Sequence, residues 1–283
     1  MTPERELWSL VEPVHAIVYF APPVSGCLAS IGLHGFWNGY FAGRAAPMGA
    51  VGAGAVTATF FGFAPAMVAK AVPKVWSRVS PDDALACRLS AAGAFLTPLL
   101  ADLDADAVRR TTDALTDAAL NARTDGRALA AAWQSVAPPP DPATRLWWAT
   151  TVIREHRGDG HVLAATGVGL SGLETTLTHI ASGVVTRETM QPNRGWTDEE
   201  WATAEARLVA GGVLSESGQL TERGQVLRET VELDTDRLAH PVLDALADDV
   251  PAIRDVLGNL GRAIAAGGNL PAGNPMGVPF PAT

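Results

Sequence analysis

Through most of the chain, apolar residues recur at helical spacing, and runs that alternate strictly between apolar and polar are scarce. That period predicts helices near residues 4–21, 26–45, 53–72, 81–100, 104–122, 125–135 and 142–157. The breaks are marked by "APP" at 21–23, "PMGAVGAG" at 47–54 and Pro73, and Asp82, Asp104 and Thr124 are placed to cap the helices that follow. "APPPDP", 137–142, reads as a linker, and the tail 267–283 has no periodicity and is expected to be loose or draped over the surface.

The last third has a different rhythm. "LSGLETTLTHIASG" (170–183) predicts one helix, and "GWTDEEWATAEARLVAGGVL" (195–214) a second that starts at Thr197 and stops at a Gly-Gly pair. "SESGQLTERG" (215–224) reads as a short hairpin, with a final helix from Glu222 to about 247. This order resembles a winged helix-turn-helix of the MarR-like kind. In the first half, "LHGFWNGYFAGRAAPMG" followed by "AGAVTATFFGFAP" has a similar ring. The expected fold is therefore mainly α, with tandem winged-helix-like domains and a short β-hairpin wing in the C-terminal part. The expected units are 1–136, 143–250, and a terminal helix with irregular tail over 251–283.

Charge changes the functional picture. Residues 170–283 hold eight Arg, no Lys and sixteen Asp and Glu, so −8 of the chain's formal −9 lies in the part with the DNA-binding shape. Nucleic-acid affinity rests largely on neutralised phosphates. The helix in the recognition position opens with Asp198, Glu199 and Glu200, where bases and phosphates would lie. DNA is therefore not the expected partner, although Arg187 and Arg194 could furnish a local basic patch. Cys27 and Cys87 belong to no metal or redox spacing and read as thiols in a reducing cytoplasm. The N-terminus "MTPERELW" lacks the order of a signal peptide. The uncharged run 45–69 is long enough for a bilayer, but two prolines and its Gly and Ala content favour a buried helix pair, so no membrane is expected.

Three polar constellations sit in apolar settings. On a helix, Glu12, His15 and Tyr19 share one face, where an acid could orient an imidazole base and a phenol could serve a developing oxyanion. All three would equally suit a half-buried structural role. Arg44 is the single charge between residues 13 and 69 and must find a partner, either Glu12 or the anionic group of a ligand. It follows an aromatic stripe in which His34, Trp37, Tyr40 and Phe41, with Phe60, would wall a pocket. Last, "REHRGDGH" (154–161) offers His156 and His161. It reads equally as a helix end and a turn, with Asp159 capping the next helix, and carries no metal-ligand spacing. No Walker loop, dinucleotide fingerprint or nucleophile elbow occurs.

"WSLVEPVHAIVYFAP", "GFWNGYFAGRAAPMG", "ATFFGFAP", "REHRGDGHV" and the Glu222–Ala239 run together resemble a set of actinobacterial helix-turn-helix proteins of SalK-like type, over about residues 7–247. The resemblance implies an actinobacterial source, a cytoplasmic location and a winged-helix C-terminal half, but no reaction. The function expected is a small-molecule-binding pocket protein of specialised metabolism, doing cofactor-free acid–base chemistry such as cyclisation, elimination or isomerisation. Two alternatives stand: a winged-helix transcription regulator, and a haem protein using His15 or His34. No metal is expected, and a homodimer is left open.

Overall fold

In a computed structural model that describes residues 1–246, 248–271, 273, 274 and 277, every regular element is helical. Helix α1 (Pro3–His15) is capped by Thr2, whose hydroxyl accepts from Arg5 N at 3.3 Å. The expected helix over 4–21 is not continuous. Pro13 supplies no N–H, and the chain turns at Ala16 before α2 (Ile17–Phe20). Two further single-turn helices follow, α3 (Pro22–Ser25) and α4 (Cys27–Ser30). Gly32 and Gly35, at φ 97° and 89°, then separate them from α5 (Phe36–Ala45), so the helix expected from residue 26 starts ten positions late. The span expected at 53–72 divides into α6 (Ala53–Phe60) and α7 (Pro65–Ala71), each far short of the ~20 residues a bilayer requires.

Helix α8 (Pro81–Leu100) is capped by Ser80, not Asp82, whereas α9 (Ala105–Asn121) uses Asp104 as expected. By length and composition α8 is the one described helix that could cross a membrane, yet it carries the buried Arg88. Helix α10 (Ala128–Gln134) lacks a local side-chain cap; Thr124 does not provide one. Asp159 does so from a distance, accepting from Leu129 N and Ala130 N at 3.0 and 2.9 Å. It sits on α11 (Pro142–Gly167), which runs ten residues beyond its expected end. Gly160 within it is needed for packing rather than turning, because a Cβ there would come 2.6 Å from Arg127 Nη1.

The C-terminal third continues with α12 (Gly172–Ala181), α13 (Arg187–Arg194), α14 (Asp198–Ala210), α15 (Glu222–Ala245) and α16 (Val250–Ala266). The first, third and fourth were legible; α13 was not. The expected β-hairpin wing is absent among the described residues. Leu214 and Leu220 make one isolated antiparallel bridge, flanked by Ser215 N→Gln219 O at 2.8 Å and Thr221 N→Val213 O at 3.1 Å. Only Val213, Leu214 and Leu220 are apolar here, too few for an alternating strand face. Thr221 already caps α15 by accepting from Gly224 N, so the chain enters the helix before a second strand can form. The tandem arrangement fails for the same reason: between α5 and α6 lies a 3-10 turn, Ala46–Met48, and no strand.

Two cores result. The larger draws on α1, α5–α11 and the end of α15 with α16, and encloses Trp133, Trp147 and Trp148. The smaller gathers Leu173, Leu177, Met190, Trp201, Leu208 and Val231 inside the α12–α15 unit. Within the tail expected to be loose, residues 272, 275, 276 and 278–283 lie outside the described residues.

Candidate functional site

Helix α11 is the spine of the polar cluster. Thr151, Arg154 and Glu155, at i, i+3 and i+4, share the face turned toward α1 and α5. The Glu155 carboxylate accepts from Arg44 Nε at 2.9 Å and Nη2 at 2.8 Å, a bidentate pair, and from Arg154 Nη1 at 2.7 Å. Glu12 is also taken. It accepts from Arg154 Nε at 3.1 Å and from Trp8 Nε1 at 3.0 Å. Glu12 therefore neither orients His15 nor pairs with Arg44.

His15 and Tyr19 still meet across the break in α1–α2. His15 Nδ1 lies 3.0 Å from Thr151 Oγ1 and Nε2 lies 3.1 Å from Tyr19 Oη. Arg88 Nη2 donates to that same Oη at 3.1 Å. The Tyr19 hydroxyl is thus held between the Arg88 guanidinium and the His15 ring, whose other nitrogen bonds Thr151. Burial, reinforced by Arg154, holds the His15 imidazole well below its ordinary value, so it is neutral. Burial also raises the Tyr19 phenol, against the pull of Arg88 and Arg44. The arrangement is a neutral base hydrogen-bonded to a polarised phenol.

Arg88 is the group the sequence reading missed. It is 3% exposed, its Nε has no hydrogen-bond partner, and no carboxylate pairs with it among the described residues. Its guanidinium lies 5.0 Å from the Tyr19 ring centroid, 5.5 Å from Trp147 and 5.9 Å from Trp133. The cluster thus buries Arg44, Arg88 and Arg154 against Glu12 and Glu155. Burial opposes the Arg44 charge, but Glu155 outweighs it and keeps that guanidinium firmly protonated, and the same two carboxylates do so for Arg154. The signal was available: Arg88 is the only charge between Asp83 and Asp102, the test that had singled out Arg44.

The remaining candidates scatter. Tyr40 stands at the rim, half-buried, with its hydroxyl accepting from Arg44 Nη1 at 3.3 Å and its ring 5.0 Å from that of Tyr19. Phe36, outside it, is 51% exposed. Phe60 lies 4.3 Å beneath the Arg44 guanidinium, while Phe41 is wholly buried against Phe60 and Phe63 as core. Trp37 is half-buried in the same aromatic stack. His34 is exposed on the loop before α5. His156 points away to Arg123 O at 3.0 Å, and His161 to Thr235 Oγ1 at 3.1 Å beside the α12–α15 unit. Burial pushes both imidazoles to about 4. These two do not join the cluster or each other. Both nitrogens of His15 are engaged inside the protein, so a haem would have to break one of those bonds. No set of three metal-donor side chains occurs among the described residues.

On the other side of the cluster, a segment leads to the α12–α15 unit. Phe60 stacks on Arg44, Phe61 packs into the smaller core, and Gly62 O accepts from Trp196 Nε1 at 2.9 Å. Ala64 N donates to Arg194 O at 2.9 Å. Trp196 lies in the turn between α13 and α14, where Gly195 at φ 75° closes the first helix in the left-handed region. Helix, glycine turn, helix, with α12 packed on α14, is the element order of a helix-turn-helix. A model described as a helix-turn-helix family matches residues 4–271. The chain belongs to this helix-turn-helix family. The match takes in the arginine cluster as well as the α12–α14 unit. No curated protein and no solved structure matches the chain.

In this helix-turn-helix the outer face of α14 is exposed at Asp198, Glu199, Glu200, Ala202, Thr203, Ala206 and Arg207. Thr197 and Glu200 form a capping box, so the acids serve the helix's positive end. One arginine against three acids is a poor surface for phosphates.

Proposed function

We propose that the chain is a ligand-binding member of its helix-turn-helix family, and that the arginine–tyrosine–histidine cluster takes a small aromatic carboxylate. The observation that carries the reading is Arg88, a buried cation with three aromatic faces and one phenol around it but no carboxylate paired with it among the described residues. Desolvating an ion costs several kcal/mol, and cation–π contacts return about 0.5–2 kcal/mol. A carboxylate reaching Arg88 past Tyr40 would balance the charge, with Tyr19, Tyr40 and Phe60 offering faces to an aryl group. The His15–Tyr19 pair then supplies acid–base chemistry without a cofactor, and the SalK-like actinobacterial motifs support a setting in specialised metabolism. Phe60–Ala64 is the route by which occupancy would reach α13 and α14.

The test is thermal unfolding of wild type and Arg88→Met with benzoate, phenylacetate, acetate and inorganic phosphate. Saturating an aryl carboxylate at about 100 times its Kd adds about 2.7 kcal/mol to wild type. Arg88→Met should lose that response while its ligand-free stability stays level or rises, because an unbalanced buried charge has gone. A wild type indifferent to every anion, with a strongly destabilised Arg88→Met, would mark Arg88 as a structural residue and sink the reading. His15→Gln should abolish turnover of any substrate found, without abolishing the stability shift.

A second reading, a DNA-binding regulator, is favoured by the family and by the element order of α12–α14. Fluorescence anisotropy with a labelled duplex decides it: regulator function requires binding that weakens steeply with salt. The acidic face of α14 argues for no such binding.

A further inference from the structure

The two cysteines stand sixty residues apart in the chain, one on α4 and one on α8, yet these helices pack against each other. The Cys27 and Cys87 side chains are neighbours across that contact and perturb one another. Both are free and half-exposed. Cys87 also lines an open surface groove of about 430 Å³, together with Ile31, Arg78, Val79 and Asp83. A groove of that size accommodates a small organic molecule. Arg78 is exposed at its edge and is suited to a carboxylate. None of these residues belongs to the Arg88 cluster except by adjacency: Cys87 immediately precedes Arg88 on α8.

We propose that Cys87 and Cys27 form a thiol–disulfide exchange site that takes a small anionic peptide disulfide of the glutathione type. In the first step the Cys87 thiol loses its proton to solvent, its sulfur bonds to one sulfur of the reagent, and the reagent's S–S bond breaks. The departing thiolate takes up a proton. In the second step the Cys27 sulfur attacks Cys87, its proton passes to solvent, and the second reagent thiol leaves. Two protein thiols and one small disulfide thus become one internal disulfide and two small thiols, so no further oxidant is needed. The order of attack follows from position. Cys87 lines the groove and Cys27 does not, and burial, with Cys87 beside it, pushes the Cys27 thiol up to about 12. Once formed, the bond ties α4 to α8 one residue from Arg88.

The test uses the reduced full chain with oxidised glutathione at mildly alkaline pH, quenched by alkylation and read by intact mass and peptide mapping. Wild type should pass through a transient single adduct on Cys87 and end two hydrogens lighter, with the Cys27 and Cys87 peptides linked. C27S should stop at the adduct on Cys87, and C87S should react at least about tenfold more slowly. Far-ultraviolet circular dichroism checks both variants, and the wild-type time course alone fixes the order if either misfolds. Thiols that stay reduced, a wild-type adduct that persists, links between two chains, or C87S reacting as fast as C27S would each overturn the proposal.

Discussion

Replacing Glu155 by Gln tests whether charge pairing holds the cluster together. The side chain is wholly buried and receives three guanidinium hydrogen bonds of 2.7–2.9 Å. Gln keeps the shape but removes the negative charge, leaving Arg44, Arg88 and Arg154 with Glu12 alone. At about 1.5–3 kcal/mol per charged hydrogen bond, total loss would reach about 4.5–9 kcal/mol. The amide retains one acceptor, so the expected cost falls to about 3–5 kcal/mol, the usual range for breaking a buried pair. For a chain of this size that is a drop of roughly 6–20 °C in Tm. The measurement is denaturant unfolding at neutral pH, followed by helical circular dichroism. Burial alone would raise the Glu155 carboxyl, but Arg154 and Arg44 outweigh it and hold it well below the usual range. A depressed carboxylate contributes stability that is present above its unfolded value, ~4.3, and lost as pH falls toward the folded one. The gap between wild type and Glu155→Gln should therefore narrow below about pH 4. A variant within about 1 kcal/mol of wild type at neutral pH, or a gap that ignores acid, would refute charge pairing as the organising force.

Three further outcomes are expected. His15, His156, His161 and His179 are all lowered by burial, the last three to about 4, so the unfolded chain takes up protons that the folded chain refuses. Burial raises Asp159 to about 6, which works in the opposite sense below that pH, because the folded state then holds a proton the unfolded state lacks. The net of about three protons, at about 1.4 kcal/mol per pH unit each, predicts a loss on the order of 4 kcal/mol per unit near pH 5. A denaturation midpoint that stays flat from pH 6.5 down to about 4.5 would show that these imidazoles are not sequestered. Gly172→Ala places a Cβ 1.9 Å from Phe61 O, a backbone atom, so the segment joining cluster and helix-turn-helix must shift. About 1–3 kcal/mol is expected, with faster proteolysis within α12–α14; unchanged cleavage would mean that the docking is not tight. Asp159→Ala strands the Leu129 and Ala130 amides and should cost about 2–4 kcal/mol in urea unfolding, and Asp159→Asn less, since burial already disfavours the charge. Equal costs for the two would contradict remote capping of α10.

The sequence carried whatever depends on neighbours along the chain. Helical spacing placed α8, α9, α15 and the start of α11, because each helix forms its own i→i−4 bonds. Asp104 and Thr197 were legible as caps for the same reason. A lone arginine in an apolar run announced that a partner must exist, but not which one. Glu155, 111 residues away, took Arg44, and Glu12 went to Arg154, because side chains of both α1 and α5 reach one face of α11. Gly158 and Gly160 read as a turn, since glycine weakens a helix by about 1 kcal/mol. Only the approach of Arg127 shows why α11 keeps a small residue there and continues. The wing failed because a hairpin needs cross-strand partners, and Thr221 is claimed first by α15. Cys27 and Cys87 belonged to no motif until α4 packed on α8. Which polar groups meet is set by how the helices stack, a long-range matter that local periodicity does not encode.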